Sequence, residues 1–174
     1  MEYIFLAGIH GVGKTTLAKK LELALDIKVI AISDLIRESG KAIVQSKKET
    51  DDISGNQELW KLELERINIS EKHLLLDGHF CLIDRSKNII RLPFSTFEGT
   101  KMGKIILLKK DPHEIRENLL RRDNYDYSIK FLRRFQESEE TQAINYARIK
   151  DIKLFKYSND TVFSSLIDFI TIEP

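Results

Sequence analysis

Short apolar runs alternate along this chain with stretches whose apolar positions recur three and four residues apart. The runs predict strands at 2–7, 27–32, 72–77, 104–108 and 151–156, and the 3.6-residue repeats predict helices near 14–25, 33–43, 56–68, 112–122, 126–148 and 160–170. Strands alternating with helices predict an α/β fold with a mainly parallel sheet. Leu74-Leu75-Leu76 and Ile105-Ile106-Leu107-Leu108 are unbroken apolar runs. That is the pattern of strands covered on both faces. Leu17, Leu21 and Leu25 give the first helix its inner stripe, and Phe163, Leu166, Ile167 and Ile170 do the same for the last.

Local signals add boundaries. Asp111-Pro112-His113-Glu114 reads as a helix start, with an acid at the N-cap and proline at the first helical position. The polar segment 45–56 reads as a mobile connection. Residues 79–100 hold two apolar runs around Asp84-Arg85-Ser86-Lys87-Asn88, the pattern of a short hairpin. The stretch Gln136-Glu137-Ser138-Glu139-Glu140-Thr141-Gln142 has no apolar stripe, so it is expected to be exposed, as in a lid or a protruding helix.

The chain has 174 residues, enough to bury a sizeable core. With 28 Lys+Arg against 27 Asp+Glu, its net charge of +1 gives no bulk case for nucleic acid or a membrane surface. A single cysteine, Cys81, excludes an internal disulfide and reads as a small core residue. The apolar start is short and carries Glu2 instead of a basic segment, and no run approaches the ~20 apolar residues of a membrane span. The cytoplasm is the expected location.

The sharpest chemical signal is Gly8-Ile9-His10-Gly11-Val12-Gly13-Lys14-Thr15, a complete G-x-x-x-x-G-K-[ST] string between a predicted strand and a predicted helix. Its glycines allow consecutive N–H groups and a helix N-terminus to face one anion. Lys14 supplies a cation for the β and γ phosphates, and the Thr15 hydroxyl is a Mg²⁺ ligand. Gly8, His10, Gly11, Val12, Gly13, Lys14, Thr15 and Thr16 are therefore the expected nucleoside triphosphate site, with ATP and Mg²⁺ as cofactors. Asp77, closing the third strand, is expected to hold the metal directly or through water; the bland reading is an Asp-Gly turn. His79 contacts a phosphate, a metal-bound water or the attacking group, or else is structural.

Arg122 falls seven residues after Ile115 and three after Leu119, on the buried stripe of the fourth helix. It is the first choice for contacting the transferring phosphoryl group, against a dipole-compensating role at a helix end. Arg133 and Arg134 serve as lid residues or as a solvated face. Ser33 reads as an N-cap, with Asp34 and Arg37 three apart on one helical face. Together they grip an acceptor, Arg37 its phosphate and Asp34 a hydroxyl, or they form a plain surface ion pair.

Gly8–Thr16, Ile32-Ser33-Asp34-Leu35-Ile36-Arg37-Glu38, Leu76-Asp77-Gly78-His79 and Asn118-Leu119-Leu120-Arg121-Arg122 resemble, in this order, the adenylate kinases and related P-loop nucleoside monophosphate kinases. The compact archaeal type and the small nuclear adenylate-kinase-like ATPases are the most similar. The resemblance covers about residues 3–150. It implies a P-loop NTPase domain with a three-layer α/β/α architecture over residues 1–174, a central five-stranded parallel sheet, an acceptor-binding region near 33–68 and a short helical lid near 122–136. It also implies that Lys14, Thr15 and Thr16 serve the triphosphate, Asp77 the metal, Arg37 the acceptor phosphate and Arg122 the lid. The chain departs from the family pattern at His10, where a small residue or proline is usual, and at Ile32-Ser33, which replaces a glycine before the acceptor-site acid.

Three readings of function follow. The first is transfer of the ATP γ-phosphate to a small phosphorylated acceptor, most simply a nucleotide. The second is a kinase of a hydroxylated metabolite, with Asp34 beside the alcohol. The third is an ATP-binding regulatory protein that hydrolyses slowly.

Overall fold

A computed structural model describes residues 2–38 and 53–172. The chain runs through β1 (Tyr3–Ala7), α1 (Lys14–Ala24), β2 (Ile27–Ala31), α2 (Ile32–Glu38), α3 (Ile53–Arg66), β3 (His73–Asp77), β4 (Cys81–Ile83) and β5 (Ile89–Arg91). It continues through β6 (Met102–Leu108), α4 (Pro112–Asp123), α5 (Ile129–Lys150), β7 (Lys153–Tyr157) and α6 (Phe163–Thr171). Five strands form a parallel sheet in the order β2-β3-β1-β6-β7. The chain leaves β1 toward β3 and β2 on one side and later returns to β6 and β7 on the other. The order therefore reverses at β1, and in such sheets the crevice beyond the strand C-termini is the ligand site. The predicted α/β fold and its five strands are present, with boundaries shifted by a few residues at most.

Each sheet face has its own core. Ile4, Leu6, Leu75, Ile106 and Leu108 pack with Leu17 and Leu21 of α1, Ile115 and Leu119 of α4, and Leu166 and Ile170 of α6. Tyr3, Phe5, Ala7, Leu74, Leu76, Ile105 and Leu107 face the other way, against Leu35, Trp60, Phe80, Phe97 and Tyr146. The alternation along β1, with all five residues buried, is what a central strand covered on both sides requires. The hairpin expected in 79–100 is β4 and β5, a separate antiparallel pair.

Three expectations need correction. Helix α2 begins at Ile32, directly after β2, so Ser33 lies in its first turn and not at its cap. The segment 45–56 falls partly outside the described residues, and from Ile53 onward it belongs to α3. The largest correction concerns 136–142, which is not an exposed stretch. Helix α5 runs unbroken over Ile129–Lys150, and its buried residues are Leu132, Phe135, Glu139, Ala143, Tyr146 and Ala147. Leu132 and Phe135 belong to one core and Ala143, Tyr146 and Ala147 to the other. The helix thus crosses from one side of the sheet to the other, with Glu139 between the two cores. The expected lid at 122–136 consists of the end of α4, the loop 124–128 and the first turns of α5.

Lys104, on β6, is a buried charge within the sheet itself. Its Nζ donates to the carbonyls of Phe169 (2.9 Å), Ile170 (3.0 Å) and Ile172 (2.5 Å) at the C-terminal end of α6, where a helix leaves its last carbonyls to outside donors. Burial holds its ammonium below the usual lysine range. Among the described residues no helix is long and apolar enough to cross a membrane.

The Phe5 ring meets Phe80 and Phe97 edge-on, at centroid distances of 5.0 and 5.3 Å. Phe5→Ala should therefore cost ~3–5 kcal/mol in denaturant unfolding; a loss under ~1 kcal/mol would mean that this face is not the core.

Candidate functional site

The last residues of four parallel strands, Ala31, Asp77, Leu108 and Tyr157, line one cavity of about 1390 Å³, together with the loop that follows β1. Helix α1 starts at Lys14, with Gly13 at its N-cap and no side chain capping it. The N-terminus of this 11-residue helix consequently faces the cavity, where its N–H groups and dipole favour an anion. Gly13 has φ +101° and Gly11 φ +79°, a region costly for other residues. At Gly11 a Cβ would also lie 2.6 Å from Leu119 Cγ. The loop is pinned from α4 as well, where Asn118 Nδ2 donates to the Gly11 carbonyl at 2.9 Å.

Lys14 is only 7% exposed. Its Nζ donates to the Gly8 carbonyl at 2.5 Å, lies 3.5 Å from Asp77 Oδ1, and approaches the two ring nitrogens of His79 at 3.4 and 3.5 Å. His10 joins this group, its ring 4.2 Å from that of His79. Asp77 stands level with Leu6 of β1 and Ala31 of β2. Parallel pairing therefore brings its carboxylate beside the phosphate loop. Lys14, Asp77 and His79 thus stand together in the lining of the cavity, with Thr15 and Thr16 following Lys14 in the same lining.

The expected acceptor pair lines the same cavity from α2, the helix that follows the edge strand β2. Asp34 and Arg37 are hydrogen-bonded to each other on α2, both about half exposed, and both line the cavity. Arg122 lies at the rim and is not buried: its side chain is 45% exposed and makes two bonds to Asp123, at 2.7 and 2.6 Å. The inward stripe of α4 ends at Leu119. The helix closes at Asp123, with Asn124 left-handed at its C-cap, and Arg122 in its last turn stays exposed. Arg133 and Arg134 are exposed and do not line the cavity. Cys81 is buried, as expected, and burial pushes its thiol well above the usual range.

Two important residues escaped the sequence reading. Lys110 lines the cavity, pairs with Glu114 at 3.5 Å, and has its Nζ 3.7 Å from where a Gly13 Cβ would be. Its position just after an apolar strand run, at the ligand edge, was the available signal. Glu139 is fully buried. It accepts from Gly8 N at 3.1 Å, from Phe80 N at 2.9 and 3.0 Å, and from Cys81 N at 2.6 Å. Burial raises its pKa to about 7, against the opposing pull of these amides and of the Lys14 charge. The neighbouring polar residues act similarly. Gln136 exchanges two hydrogen bonds of 3.0 Å with the Lys110 backbone, and Glu140 pairs with Lys109 at 2.6 Å and Lys156 at 2.9 Å.

A polyphosphate fits this cradle: glycines admit close backbone approach, a helix N-terminus points in, and Lys14 and Lys110 flank the loop. The Thr15 hydroxyl and the Asp77 carboxylate suit Mg²⁺, which keeps most of its shell as water and phosphate oxygens. Among the described residues no group of three or more His, Cys, Asp or Glu side chains is gathered as for an all-protein metal cage.

Comparison with known proteins agrees with this geometry. A family model described as an AAA domain matches residues 7–134. The chain is also 38% identical over 78 residues to a protein of Methanocaldococcus jannaschii named "Putative adenylate kinase". That similarity covers 44% of this chain and 42% of the relative's length.

Gly11→Ala combines left-handed strain with a clash against Leu119, and should destabilise the fold by about 1–3 kcal/mol while weakening triphosphate binding. Thermal unfolding and analogue titration on the same sample check both; an unchanged melting temperature would contradict the packing described.

Proposed function

The chain belongs to the AAA-domain family, and from that premise we propose that it is an adenylate-kinase-like phosphotransferase, moving the γ-phosphate of Mg²⁺-bound ATP to a small phosphorylated acceptor. The observation that supports this most strongly is a single cavity lined both by the phosphate cradle and by the Asp34–Arg37 pair of α2. A site serving hydrolysis alone has no need of that second charged pair. In this reading Gly8–Thr16 hold the triphosphate, and Thr15 and Asp77 hold the metal. When bound, Mg²⁺ neutralises charge developing between the β and γ phosphates.

Lys14 supplies a cation already positioned at the loop, and His79 orients it through the contact of its ring nitrogens with Nζ. Arg37 receives the acceptor phosphate. Arg122, from the cavity rim, stabilises the phosphoryl group in flight once the incoming phosphates displace Asp123 from it. A phosphate acceptor is already ionised at neutral pH, so these residues need to align it, not deprotonate it. The 38% identity over 78 residues to a protein named "Putative adenylate kinase" supports a nucleotide as acceptor.

Incubating the protein with ATP, Mg²⁺ and a panel of nucleoside monophosphates should yield a diphosphate from at least one of them. ATP consumption with no diphosphate from any member would overturn transfer in favour of hydrolysis. Lys14→Ala should abolish turnover while circular dichroism shows the fold retained. Arg122→Ala should lower kcat by ~10³ or more, and shift stability by no more than ~0.5 kcal/mol. An unchanged kcat would return Arg122 to an ordinary surface role.

A further inference from the structure

Glu139 occupies a position on the buried stripe of α5 that falls to apolar residues on either side, Phe135 and Ala143. A carboxylate there is costly to desolvate, and its tolerance depends on the donors it collects. Those donors come from two different loops. Gly8 begins the phosphate loop after β1, and Phe80 and Cys81 follow the Asp77-Gly78-His79 segment after β3. Glu139 does not itself line the cavity.

Gly8 is the informative partner. Its N–H goes to Glu139 and its carbonyl accepts the Lys14 ammonium, so the carboxylate anchors the residue whose carbonyl holds the loop's lysine. On the other side only two residues separate Asp77 from Phe80, and Gly78 N donates to the Leu6 carbonyl at 3.1 Å. With Phe80 and Cys81 also fixed, the segment carrying Asp77 and His79 has little freedom to move relative to the loop.

We propose that Glu139 is a positioning residue: one carboxylate sets the register between the phosphate loop and the Asp77–His79 segment, so that Lys14 and Asp77 meet the same polyphosphate and its metal. The inference rests on reading the cavity as a triphosphate site. Glu139 touches neither ligand nor metal and acts through backbone amides. Glutamine at this position offers one oxygen where three N–H groups converge, and turns an NH₂ toward at least one of them. Aspartate keeps the charge, but its shorter side chain cannot reach both loops.

The test is the affinity of a non-hydrolysable ATP analogue, titrated with excess Mg²⁺ and again in EDTA, for the wild type, Glu139→Gln and Glu139→Asp. In both variants the affinity in EDTA should stay within about threefold of wild type, while the gain conferred by Mg²⁺ falls about tenfold or more, as for other groups that orient metal ligands. A metal-dependent gain kept intact in folded Glu139→Gln overturns the inference, because a merely structural role would lower the melting temperature and leave that gain alone. Full recovery in Glu139→Asp also overturns it, since charge alone would then suffice. Should neither variant fold, hydrogen exchange of the wild type decides. The amides of Gly8, Phe80 and Cys81 should open together and become more protected together when the Mg²⁺-bound analogue is added, and unrelated exchange rates overturn the inference. A wild type that binds no analogue at all would instead overturn the reading of the cavity.

Discussion

A carboxylate buried between two loops holds the working end of this molecule together. Past the last paired residues of a parallel sheet, backbone N–H groups lose their ladder partners and must find others. Here the polar stretch of α5 provides them. Glu139 takes the amides of Gly8, Phe80 and Cys81, Gln136 pairs with the backbone of Lys110, and Gln142 donates to the Leu92 carbonyl. Apolar side chains could have covered the same edge. They could not have satisfied the turns that leave it, and those turns carry the chemistry.

The cavity is also electrostatically balanced. Lys14 faces Asp77, Lys110 faces Glu114, Arg122 faces Asp123 and Arg37 faces Asp34. Four cations that would meet an incoming polyanion thus begin beside acids, in a chain of net charge +1. Binding is then an exchange of partners as much as a simple attraction. The exposed pairs, Arg122–Asp123 and Arg37–Asp34, are weakly held and easily exchanged. The buried Lys14 is different: its position is set by its surroundings before any ligand arrives.

Much of this was legible in the sequence, for identifiable reasons. Strands covered on both faces leave unbroken apolar runs such as Ile105–Leu108, and the proline after Asp111 marks where α4 begins. The phosphate loop is legible because its chemistry is local: glycines, lysine and threonine act within eight consecutive residues. Glu139 was illegible because its partners lie 131, 59 and 58 residues away and are backbone amides, which leave no letter in the sequence. Its own letter misleads, since a glutamate among Gln, Glu and Ser reads as solvated. Arg122 shows a subtler failure. Helical periodicity places a side chain on a face but does not say where burial along that face ends, and here it ends at Leu119, before the arginine.

Lys104 carries a consequence for how the molecule is assembled. Its carbonyl partners at the end of α6 lie 65 to 68 residues further along the chain. During synthesis β6 therefore exists well before the α6 carbonyls that accept its ammonium, and a lysine without its acceptors resists burial. The layer of the sheet that α6 covers cannot close from the N-terminal side alone. Helix α6 acts as a timing element: the carbonyls it brings let the lysine be buried, so this layer of the core closes only after α6 follows β6.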